Sequence, residues 1–207
     1  MKALVFDLDD TLIDWKNEYI SIIYNYMIKN NHNISLELCY EISKLVDINE
    51  KRVNKLSKEG LLYFINKELK IDLDLKYMDD FIKSFKNCSY KDNDILNTID
   101  YLSKKYDLYV VTNWFTEAQM LRLDTMGILK YFKKVYGADI GYLKPDKRAF
   151  DEVLKMYKAS DIISIGDNLE NDIIVPKELG MNVIWKTSME SSDYTTIKHI
   201  KELINIL

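Results

Sequence analysis

The chain has 207 residues, with 47% hydrophobic and 30% charged side chains and a formal net charge of −4. That composition can bury a real core, as one domain with an insertion or as two, and its acidic balance disfavours a general nucleic-acid binder, whose surface is basic. No apolar stretch approaches the ~20 residues that cross a bilayer, so a soluble, cytoplasmic protein with no membrane partner is expected.

The first apolar run, Ala3 to Phe6, has no polar break and predicts a strand buried on both faces, as in a parallel sheet. It ends in acid, unlike a signal peptide. From Ile20 to Ile28 the apolar residues fall at steps of three and four, which predicts a helix with Asp14 as its N-cap and Asn30–Asn33 as its end. Three more helical stretches follow, marked by Leu38 to Val46, Leu61 to Leu69 and Met78 to Phe85, and no strand pattern interrupts residues 15–86. Such a block reads as a small helical bundle.

From about Tyr90 helix and strand alternate. Ile95, Ile99, Leu102 and Tyr106 mark a helix, and Leu108–Val111 a strand that ends at Thr112-Asn113. A helix through Gln119 to Met126 stops at Gly127, and Val135-Tyr136 reads as a short strand. Pro145 is expected to open a helix, Ile162–Ile165 to form a strand ending at Gly166-Asp167, residues 171–180 a helix, Asn182–Ile184 a strand, and the tail a final helix. The expected fold is α/β: a doubly wound parallel-sheet core from residues 1–13 and 91–207, with an inserted all-helical cap from 14–90. Cys39 and Cys88 form no C-x-x-C pair and read as reduced, buried thiols.

The chemistry-bearing residues share one topological position. Asp7 and Asp9 follow the first strand, Thr112 and Asn113 the second, Lys144 lies beyond the third, and Asp167 follows the fourth. In an open parallel sheet these carboxyl ends meet in the ligand crevice. Like carboxylates at ~4 Å, with an effective dielectric near 20, repel by about 4 kcal/mol per pair. Asp7, Asp9, Asp167 and Asp172 face a single lysine, Lys144. A hard divalent cation would relieve that excess, and Mg²⁺ characteristically takes one or two carboxylates, waters and a substrate phosphate. Thr112 and adjacent backbone N–H groups can donate to phosphate oxygens, and Lys144 can act on them as a point charge. One carboxylate can then accept a phosphoryl group while a second protonates the leaving alcohol.

Asp7-Leu-Asp9-Asp-Thr11-Leu12, Val111-Thr112-Asn113, Lys144-Pro145 and Gly166-Asp167-Asn-Leu-Glu-Asn-Asp172 together resemble the four motifs of the haloacid dehalogenase-like hydrolases, in order and spacing across the whole chain. The resemblance implies Asp7 as nucleophile, Asp9 as general acid/base, and Thr112, Asn113 and Lys144 around the phosphate. It further implies Mg²⁺ on the Asp7 carboxylate, the Asp9 carbonyl and Asp167, with Asp172 orienting the metal or its waters. The family's dehalogenases lack an acid/base aspartate two residues after the first, so Asp9 points to phosphate rather than halide. The implied activity is Mg²⁺-dependent hydrolysis of a small phosphorylated metabolite through an aspartyl phosphate. A phosphomutase, a non-enzymatic aspartyl-phosphate switch and a regulatory protein with a residual site are the competing readings.

Other polar residues carry plainer expectations. Asp10, Asp14, Asp139 and Asp146 read as turn or cap residues, and His32 and His199 as surface residues. Trp15 and Trp114 adjoin the first two motifs and are candidates for the walls of a substrate pocket. The sequence names neither the substrate nor an oligomeric state.

Overall fold

The computed structural model describes residues 2–16 and 18–207. Its sheet has strands β1 (Ala3–Phe6), β2 (Asp107–Val111), β3 (Phe132–Tyr136), β4 (Ile162–Gly166), β5 (Asn182–Lys186) and β6 (Thr195–Ile197). They lie in the order β3-β2-β1-β4-β5-β6, and every pairing is parallel. β1 sits in the middle with all four side chains buried, which is why its sequence is apolar throughout. Its alternate residues serve opposite faces. Leu4 and Phe6 pack with Leu108, Val110 and the helix Asn93–Ser103, whereas Ala3 and Val5 pack with Tyr109, Phe150 and Val153. The chain winds outward through β2 and β3, then returns to the other side of β1 for β4 to β6. That reversal opens a crevice at the carboxyl ends of β1 and β4.

Between β1 and β2 lie α1 (Tyr19–Lys29), α2 (Leu36–Glu50), α3 (Lys58–Leu69) and α4 (Leu75–Ser84), with α5 (Asn93–Ser103) completing the crossover. Ser35, Ser57 and Asp74 cap α2, α3 and α4 by accepting from Leu38, Gly60 and Tyr77 backbone N–H groups. The apolar stripes of α1 to α4 merge into one cluster holding Met27, Ile42, Ile65, Met78 and Ile82. Trp114, Phe115 and Ala118, at the start of α6 (Thr116–Met126), belong to the same cluster and seat the helical insert on the sheet body. Cys39 and Cys88 are free and buried. No helix among the described residues is long and apolar enough to cross a membrane.

The parallel sheet and helical insert match the expected fold class, and several local expectations are corrected. Asp14 does not cap α1, which starts at Tyr19 with no side-chain cap; Asp14 instead pairs with Lys186 at 3.0 Å. No helix opens at Pro145: Asp146 accepts from the Arg148 N–H and starts a turn at Lys147 that leads into α7 (Asp151–Leu154). The expected helix over 171–180 is a π-turn, Leu169–Ile174, followed by α8 (Val175–Glu178). β6 had no predicted counterpart, and the tail helix is a 3₁₀ turn running into α9 (Leu203–Ile206). His32 is not a surface residue. Its ring is 13% exposed, lies 2.8 Å from Asp80 and stands edge-on to Tyr77, because the turn after α1 folds onto α4.

Candidate active site

The turn after β1 is built so that alternate residues do different work. Leu8, Leu12 and Ile13 are buried among the sheet residues, and the Leu12 and Ile13 N–H groups both donate to the Leu8 carbonyl. That knot tilts Asp7 and Asp9 toward the crevice. Asp10 takes the left-handed conformation at φ 56°, which aspartate tolerates better than most residues, and its carboxylate accepts from the Trp15 N–H at 2.7 Å. Asp7 prolongs the pairing of β1 with β4 through a 2.9 Å bond from its N–H to the Ile165 carbonyl.

The second acidic turn, after β4, explains the spacing between Asp167 and Asp172. Asn168 caps the π-turn by accepting from the Glu170 and Asn171 N–H groups, and Asp172 comes back over the strand end to accept from the Asn168 N–H at 3.1 Å. Gly166 makes room for this return: a Cβ there would lie 2.3 Å from the Asp172 carboxylate. Asp167 accepts from the Thr11 hydroxyl at 2.9 Å, joining the two turns.

Lys144 reaches into this acid from the loop after β3. Its ammonium donates to Asp7 Oδ1 at 2.7 Å and to Asp172 Oδ1 at 2.6 Å, and all three side chains are nearly enclosed. The Asn113 side chain holds the Lys144 backbone from both sides, donating to its carbonyl at 2.9 Å and accepting from its N–H at 2.7 Å. Asn113 thus gives its amide to placing the lysine, which leaves its backbone for a ligand. Burial pushes the Asp7 carboxyl up to about 8, with Lys144 pulling it down and Asp172 and Asp9 pushing it further up. Burial also raises Asp167. For Lys144 burial opposes the charged form, but the Asp172 and Asp7 carboxylates outweigh it and raise the ammonium's pKa.

One carboxylate oxygen each from Asp7, Asp167 and Asp172 lie within 4.8 Å of one another. An all-oxygen, anionic donor set of that size suits a hard divalent cation rather than a soft one. Lys144 offsets only part of the charge, so the residues fit such an ion.

Asp9, on the other flank, is clasped by two residues that the motif reading did not single out. Arg122 Nη1 donates to Asp9 Oδ1 at 2.6 Å, and Gln119 Nε2 donates to Asp9 Oδ2 at 3.0 Å and to the Thr112 hydroxyl at 2.9 Å. Both are fully buried on the inner face of α6. The available signal was two long polar residues, three apart, beside the buried Ala118, Leu123 and Met126.

Asp7, Asp9, Thr112, Asn113, Lys144, Asp167 and Asp172 all line one cavity of about 440 Å³. Its opposite wall comes from the helical insert: Ile20 and Ile23 of α1, Ser43, Val46, Asp47 and Glu50 of α2, and Phe81 and Phe85. Trp15 and Trp114 both line it, and Phe85 lies between them with ring centroids 6.1 and 5.1 Å away. Burial pushes the Glu50 carboxyl up to about 8, with Asp47 and Asp9 adding to the shift. His199 is exposed, and neither it nor His32 lines the cavity.

The family model of the haloacid dehalogenase-like hydrolases matches residues 4–186. Glyceraldehyde 3-phosphate phosphatase of Methanothermobacter thermautotrophicus is 28% identical over the full length of both chains. Among solved structures, the magnesium-bound HAD-hydrolase YfnB of Bacillus subtilis aligns with a TM-score of 0.75 at 21% identity, covering 100% of this chain and 98% of that one. L-2-haloacid dehalogenase of Xanthobacter autotrophicus aligns at 0.68 and 14% identity, covering 100% and 98%. Phosphatases and dehalogenases thus share the fold, and the family match spans both acidic turns, the Thr112 strand end and Lys144: this chain is an enzyme of the haloacid dehalogenase-like hydrolase family.

Proposed function

We propose that the protein hydrolyses the phosphate monoester of a small metabolite. The Asp7 carboxylate attacks phosphorus, the ester P–O bond breaks, and Asp9 delivers a proton to the departing alkoxide oxygen. Asp9 then takes a proton from the water that attacks the acyl phosphate, which frees inorganic phosphate and restores the Asp7 carboxylate. Thr112, the Asn113 backbone and Lys144 hold the phosphoryl oxygens during both steps. The Asp7 carboxylate, the Asp9 carbonyl and Asp167, with Asp172 beside them, would hold Mg²⁺, which would supply positive charge to the phosphoryl oxygens.

The observation that carries this reading is the buried bridge from Lys144 to Asp7 and Asp172, with Asp9 and Thr112 lining the same cavity. A carboxylate two residues after the nucleophile supports phosphate over halide, and the resemblance to a sugar-phosphate phosphatase along the whole chain supports a small substrate. Residues 14–90 act in this reading as a cap over a core of 1–13 and 91–207, excluding water and contacting the alcohol half of the ester. Free, buried Cys39 and Cys88 fit a reducing, cytoplasmic setting.

The test is a phosphate-release screen over a panel of metabolite monoesters, with and without Mg²⁺, using Asp7→Asn as the blank. Metal-dependent release by the wild type alone is expected. Isomerised substrate without free phosphate would make it a mutase, and a long-lived aspartyl phosphate without turnover would make it a switch.

A further inference from the structure

Arg122 is hard to explain as a stabilising residue. Its side chain is fully buried, and Nη2 finds no hydrogen-bond partner among the described residues. A buried arginine with an orphaned donor is a poorer choice for a helix's inner face than methionine or leucine. Nor does Asp9 require it as a counter-charge, since the Asp9 side chain is 36% exposed and open to water. The remaining contacts of Arg122 run to the site and to the segment by which the insert returns. Nη1 donates to Asp9 Oδ1 at 2.6 Å and to Gln119 Oε1 at 3.0 Å, while Nε donates to the Cys88 carbonyl at 3.2 Å. Cys88 follows the 3₁₀ turn Phe85–Asn87, at the start of the segment by which the insert returns to α5. Gln119 completes the arrangement, holding Asp9 Oδ2 and the Thr112 hydroxyl with one amide nitrogen.

We infer that Arg122 and Gln119 are the positioning residues of the proton-transfer group: they fix the Asp9 carboxylate against the phosphate-binding hydroxyl on one side and the insert's return segment on the other. This rests on the phosphatase reading above. A carboxylate can turn about two side-chain torsions, and a proton relay works only within hydrogen-bond reach of the ester oxygen. The clasp engages each Asp9 oxygen once, and the carboxylate still lines the cavity. An arginine suits the task because its planar fork sets two separate nitrogens at a fixed spacing, Nη1 on Asp9 and Nε on the Cys88 carbonyl, whereas an ammonium donates from a single point.

Leaving-group dependence isolates this role. An alkyl ester needs its alkoxide protonated, whereas a nitrophenolate leaves unaided. Wild type, Arg122→Met, Arg122→Lys and Gln119→Met are compared on alkyl phosphates and on 4-nitrophenyl phosphate, in single turnovers that follow the release of alcohol or phenol. For Arg122→Met, kcat on alkyl esters is expected to fall roughly 10- to 100-fold with KM nearly unchanged, the nitrophenol burst to fall far less, and Tm to hold or rise. Gln119→Met should show the same pattern more weakly, and Arg122→Lys should recover part of the loss. Equal losses on both ester classes, no loss at all, or losses that track a falling Tm would overturn the inference. Should Arg122→Met fail to fold, the Arg122→Lys and Gln119→Met ratios decide it. A wild type inert on every ester would overturn the phosphatase reading instead, so the two failures are told apart.

Discussion

The floor and the roof of the cavity are made by opposite rules. On the floor, each charged group meets a partner: Lys144 bridges Asp7 and Asp172, Thr11 donates to Asp167, and Arg122 and Gln119 hold Asp9. The roof is apolar and aromatic, with Ile20, Ile23, Val46, Phe81 and Phe85 interrupted by the carboxylates of Asp47 and Glu50. A rigid polar floor serves a step common to every monoester, while a roof of packed side chains on a separate helical layer can discriminate among alcohols. Substitutions of Asp7 and Lys144 should therefore affect all substrates alike, those in the Asp9 clasp should sort esters by how much their leaving group needs a proton, and roof substitutions should re-rank them by shape.

The largest break is expected from Asp7→Asn, which replaces the attacking carboxylate with a neutral, far less nucleophilic amide. Turnover of every ester should drop on the order of 10³-fold or more, with the circular dichroism and Tm of a folded protein retained. Phosphate release at the wild-type rate would refute the nucleophile assignment. Next is Lys144→Met, which leaves Asp7 and Asp172 enclosed together without their shared cation. Breaking such a pair costs about 3–5 kcal/mol, read as a lower urea midpoint. Added Mg²⁺ should restore more stability to this variant than to the wild type, and equal shifts would deny that metal and lysine answer the same charge.

The roof should respond more gently. Phe85→Ala removes the ring between Trp15 and Trp114 and should change the kcat/KM ratio of a bulky to a small ester by about 10-fold, with smaller changes in kcat for the small ester. A uniform loss over both esters would erase the distinction between roof and floor. The effect that touches no substrate belongs to Glu50, whose ordinary value of 4.5 is pushed up to about 8 in the folded chain. Because the folded state resists ionising it, this group costs nothing at low pH; its penalty grows as pH rises from about 4.5 and is complete above about 8. Glu50→Gln should therefore match the wild-type Tm in acid and exceed it increasingly up to pH 8–9. Parallel Tm curves would show that Glu50 titrates normally.

The floor was also the part most legible in the sequence. Asp7 and Asp167 directly follow short apolar runs that read as buried strands, with Asp9 and Asp172 two and five residues further on, so the acidic cluster could be placed at the strand ends. Arg122 and Gln119 were hidden because a helical pattern assigns long polar residues to the solvent face, and only the tertiary structure shows that α6 turns them inward. His32 failed for a related reason: its sequence neighbours are asparagines, while its partner Asp80 is 48 residues away. β6 is three residues, Thr195–Ile197, on the sheet edge, too short to display alternation. Asp14 resembled an N-cap, yet Lys186 and the turn at Asp10 claim that region, and α1 begins at Tyr19.

The central place of β1 has a consequence for how the molecule is made. The strand is synthesised well before its second neighbour, β4, which begins only at Ile162. A growing chain shorter than that carries an apolar ribbon with one bare edge, the kind of surface that chaperones cover and that sticks to other nascent chains. The helices of residues 19–84, dominated by neighbours close in sequence, can meanwhile gather early. Catalytic competence thus arrives late and all at once, when the fourth strand docks and brings Asp167 and Asp172 to an aspartate synthesised some 160 residues before.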